Sequence, residues 1–495
     1  MATTTMASHG HYIAEKRVKY TEVVVIGNGP SALTLSYLLA GNRCYYNGNP
    51  HPNEFLGYKL DENRDQSLIE QDLEYLSAGL EGRSSNPVAI LFDNLTHPDA
   101  DFGTELPSLL EWKKHEEQAI PHVVLGRGPP GGAWQMMEGS MQTLSLGNWM
   151  ELPGLPFKQW LADHRISTPV LLNNKSSKHD RASMNDVKNY YEAYVSENKL
   201  EKYFQNNTIV TSVQRVVNRD EHEIDSESGE VMSSSCNGQI WEVRGYHLNE
   251  EMCMGFCYRS RNVVIATGTY DIPNKLGLPG ENQHEYILHS IAELEKVIES
   301  GELRPDSSPL AVVGAGLSAA DGILTAKSMG IPVKHICRRH CDDPMLIYNK
   351  LPSALYPEYH QVLRMMKNEE KHEGYECFPK HRILDLMQDN KILISGDGSP
   401  CDRILEVSYL LVLIGSRPDL SFLPNEGKDL GIVPNCAIHC KHNPIDVDPY
   451  SYQSVHEPGL FAMGPIVGDN FVRFLRGGAL GIASTLYKNQ SSDKL

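Results

Sequence analysis

At 495 residues the chain is too long for one compact core and is expected to divide into two or three domains; with 40% apolar and 22% charged residues it has the composition of an ordinary globular protein. A formal charge of −18, from 63 acidic and 45 basic side chains, repels phosphate backbones and anionic lipid, which argues against a nucleic-acid role. No window approaches the ~18 apolar residues of a spanning helix, residues 1–20 lack an apolar leader core, and the ten cysteines read as reduced thiols, so a soluble cytoplasmic or nuclear protein is expected.

After a flexible start over residues 1–19, the run Thr21-Glu-Val-Val-Val-Ile26 predicts a strand buried on both faces. It enters the turn Gly27-Asn-Gly29-Pro30-Ser31-Ala32, followed by Leu33, Leu35, Leu38 and Leu39 at helical spacing. Residues 44–121 read as an acidic insertion, too apolar to be pure linker, with one amphipathic helix carried by Leu68, Ile69, Asp72, Leu73, Tyr75 and Leu76. A second strand, His122-Val-Val-Leu125, leads into a glycine-rich turn ending at Gly131-Gly132-Ala-Trp134. A helix is expected over 184–194, a strand over 208–217, and a hairpin tip or mobile loop over 218–238. Strands follow at 239–244, 254–258 and 262–268. Further on, Pro309-Leu-Ala-Val-Val313 enters a second turn, Gly314-Ala-Gly316-Leu-Ser318-Ala319, and late strands over 409–414 and 459–463 each end in glycine.

A glycine turn between a parallel strand and a helix lets the backbone approach a pyrophosphate, and the helix start supplies unpaired N–H groups. One such turn is weak evidence; two, each after a buried strand and before a helix, point to two dinucleotides. The strand after the second turn, Ile331 to Ile336, runs into Cys337-Arg338-Arg339. Arginine at that place suits a 2′-phosphate, so NADPH is favoured over NADH.

The surroundings of these turns carry a resemblance. Gly314-x-Gly-x-Ser-Ala-x-Asp321 resembles the NADPH fingerprint of flavin-containing monooxygenases and their Baeyer–Villiger relatives, and Val263 to Pro273 with Leu278-Pro-Gly-Glu281 is similar to their interdomain linker. Gly131-Gly-Ala-Trp134 is similar to their second flavin-contact turn, and Met141-Gln-Thr143 to the flavin-side segment of ornithine and lysine N-hydroxylases. Over most of the chain the pattern most closely resembles the oxidative stress-induced growth inhibitor family. The resemblance implies an α/β fold of two dinucleotide-binding, Rossmann-like domains. The FAD domain is discontinuous (20–275 and 406–495) and the NADPH domain is inserted at 276–405. It implies FAD contacts from Gly27, Gly29, Pro30, Ser31, Ala32, Arg127, Gly131, Gly132, Trp134, Val213, Thr267, Gly268, Gly464, Asp469 and Gly478. NADPH contacts are expected from Gly314, Gly316, Ser318, Ala319, Arg338 and Arg339. Gln142 and Asn148 are the catalytic candidates, because an amide both donates and accepts and can hold oxygen, water or substrate against a flavin.

One departure stands out: an acid should end the second strand to receive the FAD ribose, yet Leu125 has no Asp or Glu beside it. Either the insertion supplies a substitute such as Glu54, or backbone and Arg127 hold the ribose. Gly464 to Asn470 and Arg476-Gly-Gly-Ala-Leu480 resemble the flavin-closing segment, with Asp469 toward the ribityl chain. The Cys/His groups around 335–341 and 436–442 are assigned no metal, and no Cys-x-x-Cys dithiol occurs.

The expectation is thus a monooxygenase that passes hydride from NADPH to FAD and oxygen, through a C4a-hydroperoxyflavin, to a small-molecule or protein nucleophile. Two alternatives stay open: an NADPH oxidase releasing hydrogen peroxide, and a non-catalytic nucleotide-binding regulator. The resemblance further implies roles in growth restraint, the oxidative stress response and late cell division, including the midbody. The insertion either covers the flavin or receives a protein partner.

Overall fold

A computed structural model describes residues 18–104, 106–137, 141–165, 181–217, 239–248, 253–369, 372–397 and 402–492; the stretch 218–238, expected as a hairpin tip or loop, lies outside them. The chain divides into two compact units: one takes Thr5–Thr269 and Pro418–Leu495, and Tyr270–Arg417 forms the other. One Rossmann-like unit is therefore inserted into another, with exchange points at Tyr270 and Arg417.

In the discontinuous unit, β1 (Lys19–Ile26) is followed by α1 (Pro30–Leu39) and β2 (Asn42–Tyr46). The insertion then carries α2 (Glu54–Glu62), α3 (Leu73–Ser77), α4 (Pro87–Thr96) and β3 (Leu110–Lys114). After β4 (His122–Leu125) and β5 (Gln142–Leu146) come α5 (Phe157–Arg165), β6 (Arg181–Ser183), α6 (Met184–Glu197), β7 (Phe204–Gln205), β8 (Thr208–Val217), β9 (Gln239–Leu248) and β10 (Cys253–Ile265). The inserted unit holds β11 (Ile272–Pro273), β12 (Ile287–Leu288), α7 (Ile291–Glu299), β13 (Leu310–Val313), α8 (Leu317–Ser328), β14 (Val333–Cys337), α9 (Ile347–Lys350) and α10 (Pro357–Lys367). Its strands continue with β15 (Tyr375–Pro379), β16 (His381–Met387), β17 (Lys391–Gly396), β18 (Arg403–Glu406), β19 (Leu410–Val412) and β20 (Ser416–Arg417). The chain re-enters the first unit with β21 (Leu460–Ala462) and α11 (Val472–Ser492).

The main sheet of the discontinuous unit runs β7-β4-β1-β10-β9-β8, with β21 also on β10. Val23, Val24 and Val25 of β1 are wholly buried between parallel neighbours β4 and β10, each contributing about 1.5–3 kcal/mol. The two strands expected at 254–258 and 262–268 are one element, β10. Its first part pairs antiparallel with β9, and its end pairs parallel with β21 on that same edge, so one strand spans two neighbours.

The insertion differs from the single helix expected near 68–76. Asp72 caps α3, accepting the Tyr75 N–H at 3.0 Å, so the helix begins only at Leu73. Leu68 and Ile69 precede that helix yet are fully buried. With Leu56, Leu60, Leu91, Phe92 and Leu95 they belong to the same core as β1 and α11, so these apolar side chains are covered within their own unit, whereas Phe55, Tyr58 and Phe102 of the insertion are exposed. The sheet of the inserted unit, β12-β19-β13-β14-β15, is parallel throughout, and β16-β17-β18 form an antiparallel sheet. No helix among the described residues is long and apolar enough to cross a membrane.

Candidate functional site

The first glycine turn admits no side chain at its entry: Gly27 has φ +106°, and a Cβ there would lie 2.3 Å from the Ala266 carbonyl oxygen. Gly29 caps α1 without a side-chain bond, and Pro30 takes a first-turn position where its missing N–H costs nothing. The N–H groups of Ser31 and Ala32 open the helix beyond it, the arrangement that binds anions. Two further stretches meet this turn. Gly131 N–H donates to Asn28 O at 2.9 Å, and a Cβ on Gly132 would sit 3.0 Å from Gly29 Cα. A Cβ on Gly464 would sit 2.5 Å from Ser31 Oγ. Thr267 Oγ1, just beyond the end of β10, is buried with no hydrogen-bond partner among the described residues, and nothing lies near the missing Cβ of Gly268. A narrow glycine cradle with an unsatisfied hydroxyl beside it fits a dinucleotide pyrophosphate.

Asn28, the middle residue of the turn, was not singled out from the sequence. Its Nδ2 donates to Gly128 O at 2.7 Å and to Asn206 Oδ1 at 3.2 Å. A Cβ on Gly126 would lie 2.0 Å from that amide, so a larger residue after β4 would displace the Asn28 side chain from these bonds. No acid ends β4. Arg127 pairs with Asp419 at 3.0 Å, and Glu54 is exposed in the first turn of α2. Val213 is buried in the β8–β9 hairpin, where its N–H donates to Phe422 O at 2.8 Å. Gly478 faces protein: a Cβ there would press on Met463 and Tyr452 at 3.0 Å.

Gln142 begins β5 and is exposed, its carbonyl accepting from Arg181 at 3.4 Å. Asn148 is half-buried in a single 3-10 turn, Gly147–Met150. The chain after it is strapped by α6: Tyr191 donates to Met150 O at 3.1 Å, Tyr194 to Pro153 O at 2.7 Å, and Tyr190 accepts the Leu152 N–H at 2.8 Å. Trp134 packs edge-on against Tyr191 at 5.9 Å. These tyrosines lie at helical spacing, the signal by which a sequence reading could have grouped them.

From the other side, Arg473 lies 4.4 Å over Trp149, beside Asn148. The insertion holds that guanidinium through both carboxylate oxygens of Asp93 and through Asp101 at 3.0 Å. Asp469 is buried, accepting from Ser84 at 2.7 Å and Tyr452 at 3.1 Å, and burial raises its carboxyl to about 6. Arg476 is also buried. Its Nη1 donates to Glu151 O at 3.4 Å, and burial lowers its pKa against the opposing charges of Glu151 and Asp93. The insertion thus reaches the Asn148 turn through the first turns of α11.

In the inserted unit, Gly314 has φ +135°, and a Cβ would meet Leu413 O at 2.2 Å. Its carbonyl accepts His335 Nε2 at 2.6 Å, while Gly316 O accepts the Tyr348 hydroxyl at 2.7 Å. Gly316 is exposed, with open space where a Cβ would be; Ser318 is half-buried and Ala319 packs inside. Arg338 and Arg339 are exposed just beyond β14, Arg339 pairing with Asp343 at 2.8 Å. An open glycine turn beside an exposed guanidinium fits a phosphorylated dinucleotide. His340, Cys341 and Asp342 bring ligand atoms within 4.8 Å of one another, but the Lys367 ammonium lies 3.2 Å from Asp342 and already supplies a cation.

Among known proteins, the pyridine nucleotide-disulphide oxidoreductase family matches residues 158–479. Human oxidative stress-induced growth inhibitor 2 is 46% identical over 488 residues, covering 96% of this chain and 94% of the relative. Bacillithiol disulfide reductase from Bacillus cereus aligns with a TM-score of 0.58 at 14% identity, over 95% of this chain and all (100%) of that one. Ornithine N-hydroxylase from Kutzneria sp. 744 aligns at 0.54 and 15% identity, with the same coverage of 95% and 100%. The likeness to these two structures is one of fold: nested dinucleotide-binding units. On these matches the chain belongs to the oxidative stress-induced growth inhibitor family and to the pyridine nucleotide-disulphide oxidoreductases.

Proposed function

We propose that the protein is an FAD-dependent, NADPH-consuming monooxygenase acting in growth control and the oxidative stress response. The observation that carries the reading is the pair of glycine cradles, one in each unit, each set between a buried parallel strand and a helix with no side-chain cap. The first would hold FAD through Gly27, Gly29, Ser31, Ala32, Gly131, Gly132, Thr267 and Gly464. The second would hold NADPH through Gly314, Gly316, Ser318 and Ala319, with Arg338 and Arg339 at the 2′-phosphate. When bound, FAD supplies the electron chemistry between the nicotinamide and dioxygen. The side chains orient and shield: α6 and Arg473 fix the Asn148 turn, and the Asn148 amide can both donate and accept without a titrating proton.

A disulfide-reductase reading has less support, because no Cys-x-x-Cys dithiol occurs in the chain. The relative's name motivates the growth-control reading. A second reading, a nucleotide-binding regulator without turnover, draws on β4 ending without an acid and on Arg127 being paired with Asp419. Measuring NADPH oxidation and hydrogen peroxide release together, with and without nucleophilic amines and sulfides, separates these readings. A monooxygenase consumes NADPH with little peroxide once its substrate is present. Peroxide equal to NADPH under every condition identifies an oxidase, and no consumption leaves the regulator.

A further inference from the structure

Four groups meet on one face of the parallel pair β14–β15. The register sets His335 beside Cys377 and Cys337 two residues further along, and alternate residues of a strand share a face. The Cys337 and Cys377 sulfurs interact across the two strands. Cys377 Sγ lies 3.9 Å from His335 Nδ1, which also receives the Tyr375 hydroxyl at 2.8 Å. On its other side His335 meets the Gly314 carbonyl. A carbonyl only accepts, so Nε2 carries the ring proton and Nδ1 is left to take one. Cys377 is half-buried, whereas Cys337 is 2% exposed and donates to the Arg339 carbonyl oxygen at 3.4 Å. The contacts with Cys337 and His335 favour the thiolate of Cys377, and the contact with Cys377, together with burial, favours the thiol of Cys337. Each sulfur is therefore attached to one half of the second cradle, Cys377 through His335 to Gly314 and Cys337 to the arginine turn.

We propose that Cys337 and Cys377 are a peroxide-oxidisable pair whose disulfide weakens nucleotide binding at the Gly314 cradle; the second part rests on the assignment of NADPH to that cradle. The Cys377 thiolate attacks one oxygen of a hydroperoxide. The O–O bond breaks, the departing oxygen takes the proton held on His335 and leaves as water or alcohol, and Cys377 becomes a sulfenic acid. Cys337 sulfur attacks Cys377 sulfur, the S–O bond breaks, and hydroxide leaves with the Cys337 proton as water. Each sulfur gives up one electron, and the two reduce the peroxide. Closing the two sulfurs to an S–S bond of about 2.05 Å draws the end of β14, with Arg338 and Arg339, toward β15 and disturbs the His335–Gly314 bond.

The test uses the full-length protein, a few equivalents of hydrogen peroxide, alkylation of remaining thiols, peptide mapping and NADP+ titration. Wild type should yield a Cys337–Cys377 cross-link and bind NADP+ about tenfold more weakly, equivalent to one lost charge-assisted hydrogen bond. Dithiothreitol should reverse both changes. Cys377→Ser should give no cross-link and unchanged affinity after peroxide, whereas Cys337→Ser should stop with one oxygen on Cys377. Peroxide consumed at other cysteines while these two stay alkylatable, a Cys337–Cys341 link instead, or a Cys337–Cys377 link with unaltered affinity overturns the proposal. Failure of the reduced protein to bind NADP+ would overturn the nucleotide assignment instead, since the cross-link map is read independently of it.

Discussion

The two glycine cradles share a motif but differ in their surroundings. At the first, Pro30, Ser31 and Ala32 are buried, as is all of α1, and the segments at Gly128, Gly131 and Gly464 close around the turn. At the second, Gly316 is exposed, and only Ala319, Ala320, Gly322, Ile323 and Ala326 of α8 are buried. The same backbone geometry can therefore serve two purposes. An enclosed cradle suits a cofactor that stays, and an open one suits a nucleotide that arrives, reacts and leaves, as the proposed FAD and NADPH would.

The sharpest way to break that contrast is at the glycines. Gly27→Ala forces a left-handed residue into contact with backbone that cannot move aside; a loss of about 4 kcal/mol or more and disappearance of flavin absorbance are expected. Gly316→Ala meets open space, so its melting temperature should stay near wild type while the KM for NADPH rises. Thermal unfolding with a flavin-to-protein absorbance ratio checks both.

Asp469 probes the enclosed side. Burial keeps its carboxyl protonated up to about pH 6 in the folded chain, against 3.8 for the exposed group. Its stabilising contribution is therefore complete below about pH 4 and is lost as pH rises through about 6. Asp469→Asn, which keeps the neutral form, should be more stable than wild type at pH 7, by up to about 3 kcal/mol, with the difference vanishing near pH 4. Unfolding curves across this range would read it; an asparagine variant that is less stable at pH 7 would show the carboxylate to be needed.

Arg338 probes the open side. Arg338→Ala should raise the KM for NADPH about tenfold to a hundredfold and leave that for NADH unchanged. Equal losses for both nucleotides would remove the 2′-phosphate from its role.

Much of this contrast is readable in the sequence where local chemistry decides the structure. Val23 to Val25 and Leu310 to Val313 announce buried parallel strands, and Gly27 and Gly314 sit where only glycine fits. Contacts set by distant segments are not readable in this way. Nothing near Arg473 in the chain indicates Asp93 as its partner, and a run split by Arg259, Ser260 and Arg261 hides the continuity of β10. Leu68 and Ile69 suggested helix because buried turns and buried helices carry the same apolar residues; the Asp72 cap decides where the helix begins.

The central claim is that both cradles are filled and work together, and a visible spectrum of the purified protein before and after anaerobic NADPH tests it most directly. A yellow protein whose flavin band bleaches on NADPH addition and returns with air is the predicted result. A colourless protein, or a flavin band that NADPH leaves untouched, would contradict it.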